Sequence, residues 1–126
     1  MVDITPRPDA DRQVVQAYGG GGFRISGERY EGPVLVLPDR TLAWPVAGLD
    51  GLTAADLRPL TLAQPPVELL ILGTGAALVR PPRALAAGLR EAGIAVEPMD
   101  TGAACRTYNV LLLEDRRVAA ALLPTD

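Results

Sequence analysis

The apolar run Val67-Glu68-Leu69-Leu70-Ile71-Leu72, closed by Gly73-Thr74-Gly75, restricts this chain more than any other stretch. A short run that is apolar apart from Glu68 is what a strand covered on both faces requires. The pattern that follows, up to residue 123, is helix, strand, helix, strand. Pro81-Pro82 suit the first turn of a helix. Leu85, Ala86, Leu89 and Ala92 then recur at helical spacing, Arg83 and Arg90 fall on the solvent side, and Gly93 supplies the stop. Residues 94–99 form the next strand, and Asp100 or Thr101 caps a helix running to about Leu113. A polar turn, Glu114-Asp115-Arg116-Arg117, leads to a last strand over residues 118–123. Parallel strands joined through helices cross over right-handedly. The loops at 73–75 and 100–109 therefore emerge at the carboxyl ends of adjacent strands, where open α/β sheets hold their ligands.

Upstream the period changes from that of helices to that of strands. Residues 1–12 are rich in Pro and Asp and lack periodicity, a loose leader to a single domain spanning 1–126, pinned at Ile4. Val14, Val15 and Tyr18 mark a first strand, and the four glycines 19–22 a turn. Glycine loops that cradle phosphates open helices, whereas Phe23-Arg24-Ile25-Ser26 alternates as a half-buried strand does, so a plain turn is favoured. Val34-Leu35-Val36-Leu37, the turn Pro38-Asp39-Arg40 and Thr41-Leu42-Ala43-Trp44 continue an antiparallel meander over 13–46. Trp44, held extended by Pro45, reads as a core anchor. Thr53 then caps a helix over 54–63, with Asp56 at its positive end and Pro59 shortening or breaking it.

Composition excludes more than it suggests. At 126 residues, 48% hydrophobic and 21% charged, the chain suits one globular domain with a real core. It has neither His nor Lys, and all twelve basic residues are Arg. Triads built on His, Schiff-base lysines and the P-loop lysine are therefore ruled out. One Cys without His argues against a metal site, and no cofactor is expected. A net charge of −3 with arginines spread along the chain argues against nucleic acid. No apolar run approaches the roughly 20 residues of a membrane helix. The lone Cys and a start without an apolar signal region point to a cytoplasmic protein.

The residues left to carry chemistry are few. Gly73-Thr74-Gly75 imitates the start of a dinucleotide fingerprint, but Leu78 stands where its last Gly belongs and Pro81-Pro82 delay the helix. A tight turn with backbone amides facing the crevice is the better expectation, and such amides bind anions. Cys105 has two readings. A helix N-terminus and Arg106 can lower a thiol pKa, or the residue is a small buried hydrophobe. The second is favoured, because no resolving Cys or His base accompanies it. Asp100, Thr101, Arg106, Thr107 and Asn109 complete the set, either as a bracing network or as a polar pocket for a carboxylate or a partner's backbone.

Met99-Asp100-Thr101-Gly102-Ala103-Ala104-Cys105-Arg106-Thr107-Tyr108-Asn109, preceded by Leu72-Gly73-Thr74-Gly75, resembles a family of small proteins of largely unknown function. That family includes mitochondrial complex I assembly factor 3 and an animal protein linked to adipogenesis. The likeness is specific over about residues 67–123 and extends to Arg24-Ile25 and the stretch 33–38. It implies a three-layer α/β sandwich around a mixed central sheet. It also implies an interaction or assembly role with a protein partner, leaning away from catalysis, with room for a homo-oligomer. Its recurring positions fall here on Gly73, Thr74, Gly75, Thr101, Arg106, Thr107 and Asn109. The N-terminus is as acidic as it is basic, unlike a transit peptide, which fits a bacterial-type cytosolic member and weakens the expectation of a direct role in complex I assembly.

Overall fold

The computed structural model describes residues 1–4 and 12–126; most of the expected leader lies outside the described residues. Two sheets form. The smaller is antiparallel, in the order β1 (Val2–Asp3), β2 (Val15–Gly19), β3 (Gly22–Ile25), β4 (Glu28–Glu31). The larger holds β5 (Val34–Val36), β6 (Thr41–Ala43), β7 (Leu69–Gly73), β8 (Ala95–Met99) and β9 (Val118–Leu122), in the order β6-β5-β9-β7-β8. β7 runs parallel to β8 and β9, while β5 runs antiparallel to β9, so the central sheet is mixed. The expected meander is antiparallel at each pairing, but it is shared between the sheets: β4 does not pair with β5, which joins β9 instead. Val2 and Asp3 pair with Tyr18 and Ala17, so part of the leader belongs to the small sheet. Ile4 is pinned as expected, its N–H donating to the Gln16 carbonyl at 2.9 Å.

Alternation along the central strands separates two cores. Leu70 and Leu72 of β7, Ala119 and Ala121 of β9 and Leu35 of β5 turn to one face. Ile71, Val118, Ala120, Leu122, Val34 and Val36 turn to the other. The first face is covered by α2 (Arg83–Glu91) through Leu85 and Leu89, and by Leu57, Leu60 and Trp44. Each of the two helical leucines, fully buried, contributes about 2 kcal/mol. Ala92, expected on this face, is the exposed C-cap residue just past the helix, and Gly93 at φ +83° follows it. The second face is covered by α3 (Thr101–Leu113), against which the small sheet packs through Val15, Phe23 and Ile25. The layers are thus helix, sheet, and helix with sheet.

The segment over 54–63 divides where Pro59 dictates: a single 3-10 turn, Ala54–Leu57, precedes a short α1 (Arg58–Thr61). Its start is held by the Thr53 N–H donating to Asp56 Oδ2 at 2.9 Å. Trp44, 1% exposed, donates its Nε1–H to the Asp56 carbonyl at 3.0 Å, which seats the turn on the sheet. Among the described residues no helix is long and apolar enough to cross a membrane.

Candidate functional site

The carboxyl ends of β7, β8 and β9 stand level, with Gly73 opposite both Met99 and Leu122. A side chain at Gly73 would meet Leu122 Cδ2 and Thr101 Oγ1, each at 2.9 Å, so only glycine permits α3 to start this close to the strand. Thr101, fully buried, joins all three chain segments. Its Oγ1–H donates to the Leu123 carbonyl at 2.6 Å, and the same oxygen accepts the Gly75 N–H at 2.9 Å. Its own N–H donates to the Gly75 carbonyl at 2.8 Å. Thr74 folds the 74–79 loop on itself, its hydroxyl donating to the Ala77 carbonyl at 2.7 Å and accepting the Val79 N–H at 3.0 Å. Asp100 caps α3 by accepting the Ala103 N–H at 3.1 Å.

The loops expected to meet do meet, yet their polar groups largely serve one another. Asn109 is also turned inward. Its Oδ1 accepts the Val15 N–H at 3.0 Å and its Nδ2 donates to the Val15 carbonyl at 2.8 Å, so the amide side chain pairs with β2 as a strand would. Every buried side-chain N or O among the described residues has a partner. Arg106 and Asn109, three positions apart, lie on different sides of the helix. The buried face takes in Thr101, Gly102, Ala104, Cys105, Tyr108, Asn109 and Leu112. Arg106 stands outside, with half-buried Thr107 and exposed Val110 and Leu113 beside it along the helix. The Arg106 side chain has no hydrogen bond or ion pair among the described residues.

Cys105 is fully buried within the second core. Burial pushes its thiol up to about 12, well beyond the opposing pull of the Arg106 charge. A thiol so placed is protonated at neutral pH and lacks nucleophilic character.

Sequence reasoning missed two neighbours of this site. Tyr108 donates its hydroxyl to the Gln13 carbonyl at 2.9 Å, beside the Asn109 pairing. Gly102 gives room to Tyr18, whose hydroxyl would lie 2.6 Å from a side-chain carbon there. Both contacts join residues far apart in the chain. A bare tyrosine gives no local sign of them, although the small residue in the first turn of α3 marks a close approach.

The family described as protein of unknown function (DUF498/DUF598) matches residues 15–123. NADH dehydrogenase [ubiquinone] 1 alpha subcomplex assembly factor 3 of Danio rerio is 38% identical over 98% of this chain and 71% of its own length. An uncharacterised protein of Rhodobacter capsulatus is 43% identical over 87% of this chain and 83% of its own. A Bordetella pertussis protein with a Mth938-like domain, solved by NMR, superposes with a TM-score of 0.77 at 30% identity, over 98% of this chain and 93% of that one. On these matches the chain belongs to the DUF498/DUF598 family.

Proposed function

We propose that this protein is a non-enzymatic assembly factor that holds a protein partner against the outer face of α3. The single observation that carries this reading is the 38% identity to an assembly factor along 98% of the chain. The chemistry of the site supports it. The hydroxyls and amides of Thr74, Gly75, Thr101 and Asn109 are engaged in joining strands, and the Cys105 thiol is buried. What faces outward on α3 is Arg106 with Val110 and Leu113. Arginine is enriched at protein interfaces and among the residues that carry their binding energy.

The relatives' name makes NADH dehydrogenase subunits the first partners to test. Arg106→Ala should lower recovery of the partner at least about tenfold in a tagged pull-down at moderate salt, with the fold unchanged by circular dichroism. Equal recovery by wild type and variant would remove the α3 face from consideration as the interface.

A further inference from the structure

At the opposite end of the central sheet, before the starts of β7 and β9, lies a cleft of about 420 Å³. Its described lining brings together residues distant in sequence: Arg12, Arg40, Arg116 and Arg117, with Asp39 and Asp115. Four guanidinium groups against two carboxylates leave a local positive excess, on a chain whose net charge is −3. Two of the arginines are engaged. Arg12 donates to the Leu112 carbonyl at 2.9 Å, at the C-terminal end of α3, and pairs with Asp115. Arg117 lies 3.5 Å from Glu68. Arg40 and Arg116 are exposed, and their side chains have no hydrogen bond or ion pair among the described residues.

The rest of the cleft is apolar apart from Gln64. Leu37, Val67 and Leu112 are buried residues in its lining. Leu62, 68% exposed, belongs to the same wall and offers its side chain to the cleft. Pro38, Pro65 and Pro66 stiffen the border. A volume of this size is in the range of small-molecule sites, where an apolar lining carries a few polar groups that orient the ligand. Guanidinium groups match carboxylates in planar, two-pronged geometry. We infer that this cleft binds a small organic acid, its carboxylate held by Arg40 and Arg116 and its apolar body lying against Leu62 and the cleft floor. This binding is independent of the α3 face proposed for the protein partner.

Octanoate is a suitable probe, with octanol as its uncharged counterpart and inorganic phosphate as a bare anion, titrated calorimetrically into the full chain. Arg40 and Arg116 are exposed, so their alanine variants should keep the wild-type melting temperature. Each should bind octanoate about fivefold more weakly than wild type. Leu62→Glu, which places a negative charge on the apolar wall, should abolish binding without touching either arginine. Octanol should bind at least about tenfold more weakly than octanoate, and phosphate should not displace it. The inference is overturned if octanoate does not bind wild type, or if both arginine variants bind it as wild type does. It is also overturned if octanol binds equally well, or if phosphate competes at equal concentration.

Discussion

Thr101→Val replaces a hydroxyl by a methyl at nearly constant shape, so almost all of its effect comes from two severed hydrogen bonds. The Gly75 N–H loses its acceptor at 2.9 Å, and the Leu123 carbonyl loses its donor at 2.6 Å. Gly75 is buried, so its amide bears the full cost of an unmet donor, while half-buried Leu123 can recruit water for part of its loss. At about 1–3 kcal/mol for each buried unsatisfied group, the sum is about 2–4 kcal/mol. That is a large share of the roughly 5–15 kcal/mol that holds a domain folded. Urea unfolding at neutral pH should show a midpoint lowered by about 1–2 M with an unchanged slope. Thr101→Ser keeps the hydroxyl and removes one methyl, and should cost only about 1 kcal/mol. A Thr101→Val loss below about 1 kcal/mol, or a Ser variant as unstable as the Val variant, would refute the bracing role. Water or a ligand would then have to reach the Gly75 amide.

Cys105 in the native protein should resist iodoacetamide through about pH 9 and react only at the rate of unfolding, because the thiolate does not form until near pH 12. Labelling of the folded protein at neutral pH, at the rate of a free thiol, would contradict its burial. Asp126 accepts N–H bonds from Gly21 at 3.1 Å and Gly20 at 3.2 Å, which lowers its carboxyl below the ordinary value. A carboxyl lowered by folding stabilises above its unfolded pKa, and that contribution disappears as pH falls through the folded value. Asp126→Asn should therefore be less stable than wild type at neutral pH, with the gap in urea midpoints closing as pH falls through the lowered folded value. A gap that persists in acid would show that the charge on Asp126 is not what the glycine amides hold.

What could be foreseen from the residues was local. The period of β7, α2, β8 and α3, and the break at Pro59, follow from side-chain spacing and from the geometry of proline, so each lies close to its expected place. The inward turn of Asn109 did not follow, because its partner is Val15, 94 positions away. Residues three apart, such as Arg106 and Asn109, are neighbours on the surface of an isolated helix. Tertiary packing made the buried side of α3 wide enough to take Asn109 and leave Arg106 outside. The arginines look scattered along the chain. Positions 12, 40, 116 and 117 converge only because β5 and β9 are neighbours in the sheet, a pairing no local pattern records.

The placement of β9 also governs how the protein can be made. The strand latest in the chain is the middle one of the central sheet, with β5 on one side and β7 on the other. While a ribosome is still synthesising the segment before residue 118, the β5–β6 hairpin and the β7–α2–β8 unit can each form, but nothing joins them. Both present an unpaired edge of apolar strand, the kind of surface on which nascent chains stick to one another. The two halves unite in a late step dominated by contacts between distant residues, which are slow to form. A stall or early release during synthesis would leave two adhesive half-sheets, so the time spent waiting for β9 is when this chain has most need of a chaperone.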